Sequence, residues 1–135
     1  MNKINLSNKV AIVTGGAQGF GLAISKKFIE SGANVIIWDI DKKASENALK
    51  ILDSKRCTNQ NVDVTDFSSI EKNLKEAEAK YKKIDIFVNN AGITGMNAKV
   101  WEYPNDEWKK VIDLDLNATF YCCKGVVPYM IKNNY

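Results

Sequence analysis

The feature that most limits the fold of this chain is an alternation of short, nearly unbroken apolar runs with longer stretches whose apolar residues recur at helical spacing. Val10–Thr14, Asn34–Asp39 and residues 56–62 and 84–89 read as strands, and the continuity of the first, second and fourth is that of strands covered on both faces. Residues 19–31, 43–54, 68–81 and 105–133 read as helices; in the first, Phe20, Ile24 and Phe28 stand four apart. A βαβα alternation builds an α/β fold, a Rossmann-type parallel sheet with helices on both faces and right-handed crossovers. Four strands in the order 3-2-1-4 are expected. With 135 residues, 45% of them apolar, and no linker, repeat or low-complexity tract, residues 1–135 are expected to form one unit around one core.

Charge and residue usage exclude whole classes of function. Nineteen Lys and Arg against 16 Asp and Glu give a net charge of +3, spread too evenly for a nucleic-acid footprint or a polybasic membrane patch. No apolar run approaches the roughly 20 residues of a membrane span, and residues 1–8 lack the apolar stretch of a signal peptide. A cytoplasmic protein without nucleic-acid or membrane partners is the expectation. There are no histidines, which removes Ser-His-Asp and Cys-His catalysis and His-ligated zinc. Cys57, Cys122 and Cys123 are odd in number and show no metal-clip spacing; they are read as buried or partly buried free thiols, and no metal site is expected.

Chemistry is concentrated where strands end. Thr14-Gly15-Gly16-Ala17-Gln18-Gly19-Phe20-Gly21 follows the first strand and opens the first helix. Glycines there let the backbone turn tightly and approach a diphosphate at the helix N-terminus. The bland alternative is a tight strand-to-helix turn. Asp39 ends the second strand about 20 residues on, where a carboxylate accepts from a ribose diol, although an Asp after a strand also serves as a turn or cap residue. Asp63 and Val64 follow the third strand; Asp63 either orients adenine contacts or belongs to a turn in which Thr65 caps the next helix. Asn89-Asn90-Ala91-Gly92 closes the fourth strand beside the point where strand order reverses, the usual ligand position in such sheets, with Asn side chains able to tie loops together.

Taken in order, Thr14-Gly-x-x-x-Gly19-x-Gly21, Asp39, Asp63-Val64 and Asn89-Asn90-Ala91-Gly92 resemble the cofactor-binding half of the short-chain dehydrogenase/reductase family, nearest the 3-oxoacyl-carrier-protein reductases and the sugar or polyol dehydrogenases. The Asn-Asn-Ala-Gly run separates this pattern from Rossmann-like methyltransferases. The resemblance implies hydride transfer between an alcohol or ketone substrate and a nicotinamide dinucleotide. It assigns cofactor binding to Gly15, Gln18, Gly19, Phe20, Gly21, Asp39, Ile40, Asp63, Val64, Asn90, Ala91 and Gly92. NAD is expected over NADP, because Asp39 repels a 2′-phosphate and no Arg or Lys lies in the glycine turn or directly after Asp39.

Two departures qualify the resemblance. Members carry a Ser after a fifth strand and a Tyr-x-x-x-Lys pair on the next helix, whereas the residues four after Tyr81, Tyr103, Tyr121 and Tyr129 are Asp85, Glu107, Gly125 and Asn133. The family's remaining catalytic residue, an Asn five positions before a Phe, corresponds here to Asp115, counted back from Phe120; Asn117 would point elsewhere on the helix. The reading is therefore an N-terminal piece of an oxidoreductase, inactive alone. A non-catalytic dinucleotide-binding or interaction module complete at this length is the alternative, told apart by turnover. Trp108, Val111, Ile112, Leu116, Phe120, Val126, Val127 and Met130 exceed the apolar needs of one buried helix face, and with the resemblance they imply a homo-oligomer.

Overall fold

A computed structural model describes residues 4–135; residues 1–3, part of the N-terminal stretch read above for a leader, lie outside them. Strands β1 (Val10–Thr14), β2 (Asn34–Asp39), β3 (Cys57–Asn61) and β4 (Ile86–Val88) alternate with helices α1 (Gly19–Glu30), α2 (Lys42–Leu52) and α3 (Phe67–Tyr81). After β4 come a 3-10 turn at Val100–Glu102, helix α4 (Asn105–Ile112), a π-helical segment at Asp113–Asn117 and helix α5 (Ala118–Asn133). The four strands form one sheet in the order β3-β2-β1-β4, all pairs parallel, as the alternation predicts.

Strand pleating sorts the core into two layers. Val10, Ile12, Ile36 and Trp38 face one way, against Ile70 and Leu74 of α3 and Ala118, Cys122 and Val126 of α5. Ala11, Val13, Val35 and Ile37 face the other, with Leu22, Phe28 and Ile29 of α1 and Ala48 of α2. Burial of a side chain as large as Ile12 or Ile36 contributes roughly 1.5–3 kcal/mol, so the two inner strands anchor both layers.

The structure shortens the flanking strands. Strand β4 spans 86–88 rather than 84–89 because side chains replace ladder bonds at both ends: Asp85 Oδ2 accepts from Val10 N at 2.8 Å, and Asn90 N donates to the Thr14 hydroxyl at 2.9 Å. Strand β3 is one residue shorter at each end than the expected 56–62, although Arg56 O still accepts from Val35 N. The expected helix 105–133 follows one path but widens into the π segment. Two further expectations change. Phe20 is 86% exposed, because Gly21 takes the inward position of the first turn and Phe20 lies about 100° round the helix. The cap of α3 is Asp66, which accepts from Ser68 N, and Thr65 instead donates to Asp63.

Along α4 and α5, Val126 is buried and Met130 packs on the core, whereas Trp108, Leu116 and Phe120 are each about 60% exposed. No helix among the described residues is long and apolar enough to cross a membrane.

Candidate functional site

The parallel register brings Thr14 opposite Trp38 and Asp39 opposite Asn61, so the ends of β1, β2 and β3 share one edge of the sheet. Thr14 is the knot of that edge. Its hydroxyl donates to Val88 O at 3.2 Å and accepts from Asn90 N at 2.9 Å and Ala91 N at 3.0 Å, which satisfies a buried polar group completely. The Asn90 side chain donates to Thr14 O at 2.9 Å and Gly15 O at 3.2 Å, so it ties the two loops together as anticipated. Asn89 is exposed, with its amide 3.5 Å from Cys123 Sγ.

The glycine turn is built differently at its two later glycines. A Cβ at Gly21 would stand 2.1 Å from Gly15 O and 2.7 Å from Asn90 Nδ2; only glycine lets the helix start pack against the turn. Gly19 has φ +50°, and nothing lies within 4 Å of where its Cβ would be. Glycine there serves the left-handed conformation and leaves open space in front of the helix. No side chain caps α1 at Gln18, and no acidic residue occupies its first turn. The N-terminal amides and the positive end of the helix dipole are thus left for an anion.

Asp39, partly buried, faces this turn across the sheet edge. Its Oδ2 accepts from Ala17 N at 3.2 Å and its Oδ1 from Asp41 N at 3.1 Å, while Asn61 Nδ2 holds the carbonyls of Asp39 and Ile40 at 3.1 and 2.8 Å. Ile40 itself is exposed. The cap of α2 is Asp41, not Asp39. Asp63 Oδ1 accepts from the amide and hydroxyl of Thr65 at 2.9 and 2.6 Å, a local turn that presents Val64, itself buried, beside the cleft.

The far wall comes from the loop after β4 and from the helix that follows. Ile93 N donates to Asp115 Oδ1 at 2.9 Å, and Gly92 lies against the same carboxylate. Met96 N donates to the Tyr103 hydroxyl at 3.1 Å. Asn117 turns away, its amide bonded to Asp113 at 2.8 Å. These walls enclose a cleft of about 840 Å³ lined by Gly15, Gln18, Trp38, Asp39, Ile40, Asp63, Val64, Ala91, Gly92, Ile93, Lys110, Asp113 and Tyr121, among others. It therefore gathers most of the sequence-predicted residues; Gly19, Gly21, Asn90 and Asp115 stand outside its lining, and Phe20 is exposed to solvent. Thr14, Asn61, Trp38 and Tyr103 were missed, and Tyr121 was considered only as a substitute proton donor. Thr14 stood inside the glycine motif and was legible; the others depend on long-range register and carried no local signal.

A nicotinamide dinucleotide fits this donor set. The cleft is roomy and partly apolar, the open position in front of Gly19 suits a diphosphate, and the Asp39 carboxylate suits a diol rather than a phosphate. The two buried thiols are held neutral: burial pushes Cys57 up to about 11 and Cys122 up to about 12, the latter with help from neighbouring Cys123, which is exposed. Among the described residues, no three His, Cys, Asp or Glu side chains are grouped to hold a metal ion.

Comparison with known proteins agrees with this arrangement. The family model described as short chain dehydrogenase matches residues 9–135. The chain is 39% identical over 135 residues to a 3-oxoacyl-[acyl-carrier-protein] reductase of Chlamydia muridarum (98% of this chain, 54% of that protein). It is 37% identical over 129 residues to the 2-dehydro-3-deoxy-L-rhamnonate dehydrogenase (NAD(+)) of Sphingomonas sp. strain SKA58 (96% and 51%). A probable NADP-dependent mannitol dehydrogenase of Yarrowia lipolytica is 36% identical over 138 aligned positions (100% and 50%). Among solved structures, an NAD+-bound xylitol dehydrogenase superposes with a TM-score of 0.92 at 28% identity, over 96% of this chain and 51% of that one. The chain spans about half the length of the relatives it matches.

Proposed function

The chain belongs to the short-chain dehydrogenase family, and on that premise we propose that residues 1–135 are the cofactor-binding portion of an NAD-dependent oxidoreductase acting on an alcohol or ketone. One observation carries the reading: the glycine turn that opens α1, through Gly15 and Gln18, lines the same cleft as Asp39. Gly15, Gln18, Gly19 and Gly21 form the diphosphate cradle, with Phe20 contributing backbone only. Asp39 and Ile40 receive the adenosine ribose; Asp63 and Val64 border the adenine; Asn90, Ala91 and Gly92 border the second ribose, with the Asn90 side chain holding the glycine turn in place. When bound, the nicotinamide supplies hydride exchange at a carbon of the substrate.

Proton exchange with the substrate oxygen is assigned to groups outside these residues, since no tyrosine here is followed four positions later by lysine. Asp115, at the position of the family Asn, acts as a positioning residue: its carboxylate accepts from Ile93 N and so fixes the loop that walls the cleft. The exposed apolar side chains of α4 and the helix after it support self-association through that face.

Titration of NAD and NADP against the chain, followed by the fluorescence of Trp38 at the cleft wall, tests the reading. Saturable NAD binding at least about tenfold tighter than NADP is expected from like-charge repulsion at Asp39. Equal affinities would remove Asp39 from the ribose site. NADH formation from polyols and 3-hydroxyacyl thioesters should be undetectable with the chain alone; turnover would point to Tyr121, the tyrosine that lines the cleft, as proton donor.

A further inference from the structure

We propose that Asp39 is a clamp on the glycine turn as well as the reader of the ribose, so that one carboxylate fixes both diphosphate and diol positions. The inference rests on the cofactor reading above but has its own geometry. The turn is fastened to the end of β2 at two points, Gly16 N to Trp38 O at 3.4 Å and Ala17 N to Asp39 Oδ2 at 3.2 Å. The first is long, so the second is the stronger fastening. Ala17 is 4% exposed, which leaves its amide without water to fall back on if the carboxylate is removed.

The other oxygen is equally committed. Oδ1 accepts from Asp41 N at 3.1 Å, and Asp41 is the residue that caps α2 by accepting from Ala44 N at 2.9 Å. Asp39 thereby links the start of α2 to the start of α1 through a rigid carboxylate. An ionised carboxylate accepts about four hydrogen bonds, and two are used here, one on each oxygen. One site on each oxygen remains for the two hydroxyls of a ribose, so the diol binds without releasing the clamp. A 2′-phosphate brings acceptors and like charge to the site that would take the 2′-hydroxyl, leaving only the 3′-hydroxyl to donate.

The clamp changes what a substitution at Asp39 does. If Asp39 only read the diol, Asp39→Ala would lower affinity for ADP and leave 2′,3′-dideoxy-ADP, which carries neither hydroxyl, untouched. If it also clamps, Asp39→Ala weakens 2′,3′-dideoxy-ADP too, because the turn that receives the diphosphate is loosened.

Hydrogen exchange on the ligand-free chain tests this directly. In Asp39→Ala the Ala17 amide should exchange at least about tenfold faster than in the original chain, as expected for loss of a hydrogen bond to a charged acceptor. Asp39→Asn, which keeps an oxygen for Ala17 N, should restore most of the protection while losing the charge. Binding of 2′,3′-dideoxy-ADP should fall severalfold in Asp39→Ala and recover in Asp39→Asn. Unchanged Ala17 exchange in both variants, or 2′,3′-dideoxy-ADP affinity insensitive to Asp39→Ala, overturns the clamp. Failure of the original chain to bind ADP at all would instead overturn the cofactor reading, and the exchange measurement would still decide the clamp.

Discussion

The two ends of the sheet use the same side chain in opposite ways. At the amino end, the Asp85 carboxylate is 4% exposed, accepts from Val10 N at 2.8 Å and lies 3.2 Å from Lys83 Nζ and 3.9 Å from Lys9 Nζ. At the carboxyl end, Asp39 is only partly buried, meets no ammonium group among the described residues, and borders an open cleft with acceptor sites to spare. A carboxylate saturated by its own chain holds strands together; one left incomplete at a cleft is available to a ligand. Standing at a strand terminus does not by itself distinguish them; which terminus it is does.

The largest expected effect falls on the closed end. Asp85→Ala strands Val10 N and two lysines, and should lower unfolding free energy by about 2–3 kcal/mol in urea titration, with NAD affinity per folded molecule unchanged. A loss below about 0.5 kcal/mol would erase the contrast. At the open end, Gly21→Ala forces a backbone contact apart and should cost about 1–3 kcal/mol together with cofactor binding. Gly19→Ala should cost only about 1–2 kcal/mol of conformational strain, with the fold retained by circular dichroism and NAD binding lost. Undiminished NAD affinity in folded Gly19→Ala would break the cradle assignment.

Thiol labelling sharpens the comparison at smaller scale. Cys57 begins β3 at the amino end and Cys122 lies in the core, both held as neutral thiols by burial, whereas Cys123 is exposed beside Asn89 at the carboxyl end. Mass spectrometry after brief alkylation of native protein should find Cys123 modified and the other two protected. The smallest effect concerns Asp66. The Ser68 hydroxyl and amide hold its carboxyl below the usual range, so the stability it contributes is present above the ordinary carboxylate pKa and lost as pH falls through the lowered value. Melting curves of Asp66→Ala and the original chain should differ near neutrality and converge in acid.

Strand order, all four strands and most of the cleft were legible in the sequence because they follow from short-range patterns: apolar runs, glycine spacing and an acid at a strand end. What escaped depends on three-dimensional register. Nothing around Asn61 announces that it will hold the carbonyls beyond β2, nor does Tyr103 announce that Met96 will donate to its hydroxyl. Phe20 misled for a related reason. Its spacing from Ile24 and Phe28 is helical, but the inward position in the first turn is decided by the contact of Gly21 with Gly15, which no periodicity records. The exposure of Cys123 beside buried Cys122 follows from which side of α5 meets α3.

The π segment at Asp113–Asn117 is best understood as a change of phase. One residue more or less in a helix turns everything downstream by about 100°. Upstream, Lys110 looks onto the cleft, as does Asp113 at the first residue of the segment; downstream, Cys122 and Val126 look onto the core shared with α3, while Tyr121 still reaches the cleft. The wide turn lets one uninterrupted rod serve both orientations, and it sets Asp115 against Ile93 at the point of changeover. Removing a residue there would leave a perfectly good helix with its two halves facing the wrong audiences, which makes this stretch far less tolerant of length change than its exposed, polar sequence suggests.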